Sequence, residues 1–163
     1  MNSEAWDIQI QKLCGGYDGR LVLNDFSAYM PGGTITTILG ESGCGKTTLL
    51  RLLLGLIPVQ SGSICIGGRN ITLMPTVQFR KLRRRFGVLF QDGALISALT
   101  LAENVELPLM EHTRLSHSVL RKAAMRTLDL VGLSDFATYY PGELSGGMRK
   151  RAGLARAIVT EPP

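Results

Sequence analysis

Apolar and polar residues alternate at the start of the chain, where Trp6, Ile8 and Ile10 share one face of an extended segment. A second apolar stretch, at residues 21–30, follows a glycine-rich turn. Short alternating runs bounded by turn residues are typical of antiparallel strands. The pattern predicts a small antiparallel β section that closes at the Pro-Gly-Gly turn of residues 31–33.

The next pattern is a strand, a glycine loop and a helix in sequence order. Residues 34–39 form a β-branched run bounded by glycines, which predicts a buried strand. Residues 46–56 are rich in leucine and other helix formers, and Pro58 ends the predicted helix. The glycine-rich segment between them therefore joins the end of a strand to the start of a helix.

Three further elements are predicted before residue 100. Residues 63–66 read as a strand, and Pro75 suits the first turn of a helix that runs to Arg85. Residues 86–90 are apolar and predict a second buried strand. The basic run at residues 80–85 invites a nucleic-acid or anionic-lipid interpretation, but it lacks interleaved aromatic residues, and a solvated helix face explains it better.

Beyond residue 98 the pattern is helical. Thr100 and Glu103 have the spacing of a capping box, and a last helix is predicted from about residue 146 to residue 160. Between them, four apolar residues recur at intervals of four, four and three, as on one face of a helix. They are Leu120, Ala124, Leu128 and Val131.

Composition adds limits on the class of protein. Of the 163 residues, 45% are hydrophobic and 19% are charged, which excludes global disorder. No apolar run approaches the roughly 20 residues of a membrane span, and the first residues lack a signal-peptide pattern. Cys14, Cys44 and Cys65 have no metal-like spacing and are interpreted as reduced thiols. We therefore expect a cytosolic protein.

Candidate chemistry begins in the glycine-rich segment. Residues 40–47 read Gly-Glu-Ser-Gly-Cys-Gly-Lys-Thr and fit G-x-x-x-x-G-K-[ST] between a predicted strand and a predicted helix. Such a loop points backbone N–H groups at phosphates, with Lys46 on the β- and γ-phosphates and the Thr47 hydroxyl on Mg²⁺. The net charge of +5 suits an anionic ligand. The pattern alone fits kinases, GTPases, motors and transporters, and its candidate nucleotide-binding residues are Gly40, Glu41, Ser42, Gly43, Cys44, Gly45, Lys46, Thr47 and Thr48.

A second glycine cluster narrows the class of nucleotide-binding protein. Residues 144–148 read Leu-Ser-Gly-Gly-Met and resemble the LSGGQ signature of ABC ATPases. Ser145 suits an N-cap, and the following N–H groups of Gly146 and Gly147 offer a second anion site at a helix start. The helix that follows carries four cationic residues, Arg149, Lys150, Arg151 and Arg156.

The resemblance to ABC ATPases implies roles for two further residues. Gln91 ends an apolar segment that resembles the family's Q-loop strand, whose glutamine contacts Mg²⁺ and the attacking water. Gln91 and Lys46 are therefore the catalytic candidates, and Gln91 and Thr47 the candidate Mg²⁺ ligands. Tyr17 lies where the family places an aromatic residue that stacks on adenine.

The fold that the resemblance implies is an α/β P-loop NTPase with an N-terminal antiparallel β section. It divides into a β section and P-loop core at 1–98, a helical insertion at 99–141 and the signature with its helix at 142–160. The family continues with a strand ending in aspartate and glutamate, a D-loop and a switch histidine, whereas this sequence stops at residue 163. His112 and His117 precede the signature and cannot be that histidine. We therefore expect an incomplete sheet, marginal stability and no hydrolysis by these residues alone.

The resemblance also implies partners and a cargo. Two copies would sandwich two Mg-ATP molecules as a homodimer that drives integral-membrane permease subunits at the cytoplasmic face of the bacterial inner membrane. Met148 in the signature and residues 90–95 look like the phospholipid-trafficking group of Mla, toluene-tolerance and MCE-type transporters, whose assemblies include a lipid-binding MCE-type protein. Nucleic acid is not an expected partner. Two alternatives remain: a nucleotide-binding paralogue that does not hydrolyse ATP, and a soluble ABC protein that acts on nucleic acid or ribosomes.

Overall fold

A computed structural model describes residues 5–163, which form two units at residues 5–83 and 84–162. The first unit is built on a four-stranded sheet with the order β2-β1-β3-β4, in which every neighbouring pair is antiparallel. Its strands are β1 Ile8–Tyr17, β2 Arg20–Met30, β3 Ser61–Ile66 and β4 Arg69–Asn70. The predicted antiparallel β section is confirmed, and so is the strand at 63–66, which begins two residues earlier than predicted.

Local backbone irregularities shape this sheet. The pairing of β1 shifts register after Ile10 and after Gln11, where Lys12 has a positive φ of 46°. Gly62 faces this point with a φ of 84°, and a Cβ atom there would lie 2.3 Å from the Lys12 carbonyl oxygen. Only glycine fits this conformation and this spacing.

Two helices complete the first unit, α1 Lys46–Leu53 and α2 Thr76–Arg83. Helix α1 is three residues shorter than predicted because a Schellman motif ends it before Pro58. The N–H of Leu56 donates to the carbonyl of Arg51 at 2.8 Å, and Gly55, with a φ of 61°, donates to Leu52 at 3.0 Å. Helix α2 is present where it was predicted, but it begins one residue after Pro75, which was expected in its first turn, and ends two residues before Arg85.

Two strand predictions are wrong for the described residues. No strand is assigned over residues 34–39 or over residues 86–90. Ile35 and Leu39 are 98% and 86% exposed, and Phe90 is also exposed. A buried strand needs hydrogen-bonded neighbours. The four described strands pair only with one another, so neither the β-branched segment at 34–39 nor the apolar segment at 86–90 forms a strand with them.

The second unit is helical. It contains α3 Leu101–His112, α4 His117–Leu130 and α5 Gly146–Ile158, with short 3-10 turns at Ser134–Phe136 and Pro141–Glu143. The predicted capping box of α3 is present, with Thr100 as N-cap and Glu103 as its partner. Helix α5 matches the prediction to within two residues. Residue 131 follows the last residue of α4, and Gly132 ends that helix with a φ of 65°.

The core of the second unit lies between its three helices. It includes the predicted stripe residues Leu120, Ala124 and Leu128, with Val131 partly buried against them. Asn104 is fully buried, accepts a hydrogen bond from the Ile96 N–H at 2.7 Å, and donates to three carbonyls at 3.0 Å each. These acceptors are the carbonyls of Ile96, Leu99 and Thr100. The side chain of Asn104 therefore fixes the loop that leads into α3.

Candidate functional site

The predicted phosphate-binding loop ends at the start of α1. Gly45 is the N-cap residue, with a φ of 103° that favours glycine. A Cβ atom at Gly45 would lie 2.9 Å from the Cδ2 atom of Leu23 on β2, so the loop passes directly over that strand. The first N–H groups of α1 have no carbonyl of the preceding turn to bind and face the loop end of the helix. This arrangement gives the site its hydrogen-bond donors.

The Lys46 side chain folds back into this loop. Its Nζ atom donates to the Gly40 carbonyl at 2.8 Å and to the Glu41 carbonyl at 2.7 Å, and lies 3.6 Å from the Cys44 sulfur. Residues 40–44 are exposed, and nothing lies within 4 Å of the position that a Cβ atom would take at Gly43. The loop therefore combines a lysine ammonium, helix-end N–H groups and open space, a set of features that fits a phosphate group.

The two threonines after Lys46 differ in burial. Thr47 is exposed, which leaves its hydroxyl accessible to a cation, whereas Thr48 is only 5% exposed. Mg²⁺ prefers oxygen ligands, and a hydroxyl oxygen beside a phosphate site can serve as one. Among the described residues, no group of three or more His, Cys, Asp or Glu side chains could hold a metal ion.

Tyr17 stands at the end of β1 and is held by Arg51 of α1. The Arg51 Nη1 atom donates to the Tyr17 hydroxyl at 2.9 Å, and the guanidinium carbon lies 5.7 Å from the ring centre. Partial desolvation raises the pKa of the Tyr17 hydroxyl, but hydrogen bonds with the side chains of Arg51 and Thr48 and the positive charge of Arg51 together outweigh it, so that the pKa lies below its ordinary value. Sequence reasoning missed Arg51, which lies 34 residues from Tyr17.

An open cleft lies beside Tyr17 and the loop. Its volume is about 750 Å³, within the roughly 300–1,000 Å³ range of small-molecule sites. The lining residues are Tyr17, Asp18, Arg20, Leu21, Val22 and Gly43. The cleft therefore brings the aromatic residue predicted to stack on adenine together with a glycine of the predicted phosphate loop.

The signature residues lie in the second unit. Ser145 is the N-cap of α5, and its hydroxyl accepts a hydrogen bond from the Met148 N–H at 3.3 Å. Gly146 and Gly147 are exposed, and no atom lies within 4 Å of a Cβ position at Gly147. The predicted N-cap geometry is present, and exposed N–H groups stand at the start of a 13-residue helix.

Gln91 also lies in the second unit, in a turn. The Gly93 N–H donates to the Phe90 carbonyl at 2.9 Å, so Gln91 occupies the tip of the turn and is exposed. The guanidinium of Arg156 holds the end of this turn through the carbonyls of Gly93 and Ala94. Sequence reasoning missed this contact, because Arg156 lies more than 60 residues along the chain from its acceptors.

A family model and curated relatives both match this chain, and both point to the ABC family that the sequence resembles. The family model described as ABC transporter matches residues 23–163. The chain is 42% identical over 155 residues to the probable ribonucleotide transport ATP-binding protein mkl of Mycobacterium leprae, covering 95% of this chain and 45% of that protein. It is 46% identical over 143 residues to the intermembrane phospholipid transport system ATP-binding protein MlaF of Escherichia coli K12, covering 88% and 53%. The chain thus spans about half the length of the curated relatives it matches.

Solved structures of ABC transporter cassettes also have a fold similar to that of this chain. The dimeric structure of MJ0796, a bacterial ABC transporter cassette, superposes with a TM-score of 0.88 at 32% identity, covering 96% of this chain and 71% of that one. A second MJ0796 dimer, in a post-hydrolysis state bound to ADP and Pi, gives 0.87 at 31% identity with the same coverage. These likenesses confirm the predicted α/β P-loop fold class.

Proposed function

The chain belongs to the ABC transporter family, and on that premise we propose that it binds Mg-ATP as the ATP-binding subunit of a transporter. The observation that carries the proposal is the loop at residues 40–47, with the Lys46 ammonium turned inward and the N–H groups of α1 at its end. The cleft beside Tyr17 supplies space for the base and ribose.

The side chains of Lys46, Thr47 and Tyr17 each have a defined part in this proposal. Lys46 would exchange its two carbonyl contacts for phosphate oxygens, which form stronger, charge-assisted hydrogen bonds. The exposed Thr47 hydroxyl would hold Mg²⁺, whose chemistry is to neutralise charge on the phosphates. The ring of Tyr17 would stack on adenine, with Arg51 keeping it in place.

Hydrolysis is proposed for the intact protein. The dimeric MJ0796 structures support a homodimer, in which Ser145, Gly146 and Gly147 of one copy would face ATP held by the other. Gln91 would orient the attacking water and take part in binding Mg²⁺, as the resemblance implies. Catalysis of phosphoryl transfer rests mainly on positioning the reactants and stabilising their charge. Gln91 and the signature residues would contribute in these two ways. The competing interpretation of a paralogue that binds without hydrolysis is decided by steady-state ATP turnover of the intact protein.

The binding proposal is tested with Lys46→Ala. Losing charge-assisted hydrogen bonds of about 1.5–3 kcal/mol should weaken Mg-ATP binding by roughly ten- to a hundredfold. Lys122→Ala is the matched control, because Lys122 is exposed on α4 in the other unit. Isothermal titration of both variants of the 163-residue chain measures the difference. Equal affinity in the two variants would reject the loop as the phosphate site.

We also propose phospholipid as the cargo, moved through permease subunits at the cytoplasmic face of the inner membrane with an MCE-type lipid-binding protein. The name of the Escherichia coli relative supports this, whereas the Mycobacterium leprae relative is named for ribonucleotide transport. Within the described residues, no helix is long and apolar enough to cross a bilayer.

The cargo proposal is tested by reconstituting the intact protein with its co-purified membrane subunits in vesicles. ATP should drive movement of a fluorescent phospholipid and not of a radiolabelled ribonucleotide. Ribonucleotide uptake with no lipid movement would overturn the proposal and favour ribonucleotide as the cargo, as the name of the Mycobacterium leprae relative suggests. Binding to RNA in a salt-sensitive manner would instead favour the nucleic-acid alternative.

A further inference from the structure

Helix α5 carries cationic residues whose chemistry the proposed function does not use. Three arginines of this helix donate to backbone carbonyls of their own unit. Arg149 donates to the Leu144 carbonyl, and Arg151 donates to the Val131 carbonyl at 2.7 Å. Arg156 donates to two carbonyls of the segment that follows Gln91. The arginines therefore tie loops to the signature helix.

The Arg156 contact has the geometry of a fork. Its Nη1 atom donates to the Ala94 carbonyl at 2.7 Å, and its Nη2 atom donates to the Gly93 carbonyl at 2.9 Å. A planar guanidinium directs two N–H groups at two neighbouring acceptors at once. A lysine ammonium has no such fixed pair of N–H directions. The Arg156 side chain is partly buried, and this burial lowers its pKa from the ordinary value.

Two glycines bring the backbones of the same two segments into contact. A Cβ atom at Gly153 would lie 2.7 Å from the Gly93 Cα atom and 3.0 Å from its carbonyl oxygen. A Cβ atom at Gly93 would lie 2.6 Å from the Arg149 carbonyl oxygen. Neither position has room for a side chain. The turn after Gln91 thus lies directly on α5, independently of the Arg156 hydrogen bonds.

We propose that Arg156 is a positioning residue that fixes the Gln91 turn to the signature helix, so that Gln91 and Ser145 move as parts of one rigid piece. Only Asp92 separates Gln91 from the clamped Gly93, and the same turn is closed by the hydrogen bond from Gly93 to Phe90. The functional consequence rests on the proposed function, because it assumes that Gln91 acts on ATP. The clamp itself is a structural claim that can be tested without it.

The clamp is tested by hydrogen exchange of the 163-residue chain. Arg156→Met should speed exchange of the amides at 91–95 by about tenfold, since it removes two hydrogen bonds from a charged donor. Arg151→Met is the matched control, because it removes an α5 arginine whose acceptors lie at the end of α4. Arg156→Lys should give an intermediate rate. Unchanged exchange at 91–95 in Arg156→Met, or an equal increase in Arg151→Met, would overturn the clamp.

A second pair of variants keeps the test valid if Arg156→Met does not fold. Gly153→Ala should also speed exchange at 91–95, because its new methyl group displaces Gly93. Gly142→Ala is its control, since nothing lies within 4 Å of a Cβ position there. A local increase confined to Gly153→Ala supports the clamp, and no difference between the two rejects it.

The functional consequence is measured on the intact protein. Arg156→Met should lower kcat for ATP by roughly tenfold while the dissociation constant for Mg-ATP stays within about twofold, because its acceptors lie outside the loop at residues 40–47. Arg151→Met should change neither value. Weakened binding with unchanged kcat would overturn the positioning role. Failure of the ATP proposal has a different signature, which is equal Mg-ATP affinity in Lys46→Ala and Lys122→Ala.

Discussion

Tyr17 illustrates at the scale of one residue how a side chain outside the glycine loop is prepared for a ligand. Arg51 binds its hydroxyl at 2.9 Å, so the ring is anchored at the end away from the backbone. The rest of the cleft is lined by Asp18 of the turn after β1, by three residues of β2 and by Gly43. An aromatic ring fixed in this way loses little side-chain entropy when a base stacks on it.

We predict that Tyr17→Ala weakens Mg-ATP binding by about 3- to 10-fold, the equivalent of roughly 0.5–1.5 kcal/mol for a stacked aromatic pair. Tyr17→Phe should stay within about twofold, because the ring remains and only the hydroxyl with its hydrogen bonds is lost. Titration with inorganic tripolyphosphate is the control, since this ligand has no base. An equal loss for tripolyphosphate would show that Tyr17 acts through the phosphate loop and not through adenine.

The start of α3 shows how a single element is stabilised by local chemistry. The Glu103 carboxylate accepts from the Thr100 N–H and from its hydroxyl, both at 2.8 Å, and the Glu103 N–H donates to the Thr100 hydroxyl at 3.4 Å. The hydrogen bonds from the Thr100 backbone and then from its side chain lower the pKa of Glu103 below 4.5. The ionised carboxylate is therefore the form that the folded helix favours.

This shift predicts how the stability of the second unit depends on pH. Because the folded pKa of Glu103 lies below its unfolded value, its contribution is fully present above about pH 4.5 and is lost as the pH falls through the folded pKa. Glu103→Gln cannot ionise, so it should be less stable than the parent chain at pH 7, and the difference should shrink as the pH falls through the folded pKa of Glu103. Urea unfolding followed by helical circular dichroism measures this difference.

Glu111→Gln is the control for that experiment, because Glu111 is exposed in the last turn of the same helix. We expect its difference from the parent chain to be small at pH 7 and to stay small as the pH falls. If the two variants show the same pH dependence, the capping carboxylate has no special role and the prediction is wrong.

Elements governed by neighbouring residues were predictable from sequence, and contacts across the chain were not. The capping box joins residues three positions apart, and the glycine loop carries its chemistry in eight consecutive residues. The strands at 34–39 and 86–90 were predicted wrongly, because composition indicates strand propensity but does not supply a pairing partner. The roles of Arg51 and Arg156 depend on acceptors 34 and 62 residues away, and no local pattern indicates them.

At the scale of the whole molecule, the segment at residues 34–39 is the feature with the largest consequence. Ile35 and Leu39 are almost fully exposed, although the composition of this segment suits the interior of a sheet. Exposed β-branched segments without a pairing partner favour association between chains. We therefore expect the 163-residue chain to associate with itself at micromolar concentrations and to bind the dye ANS.

This expectation leads to opposite predictions for two apolar residues of the same unit. In the 163-residue chain, Ile35→Thr should change the free energy of unfolding by less than about 0.5 kcal/mol and reduce both ANS fluorescence and self-association, because Ile35 is 98% exposed. Leu13→Ala should cost roughly 2–5 kcal/mol, because the Leu13 side chain on β1 is fully buried and its truncation leaves a cavity. Denaturant unfolding and light scattering measure the two effects. A large destabilisation by Ile35→Thr would mean that residues 34–39 are buried in solution, and the chain would then hold a strand partner for them that the structure does not show among residues 5–163.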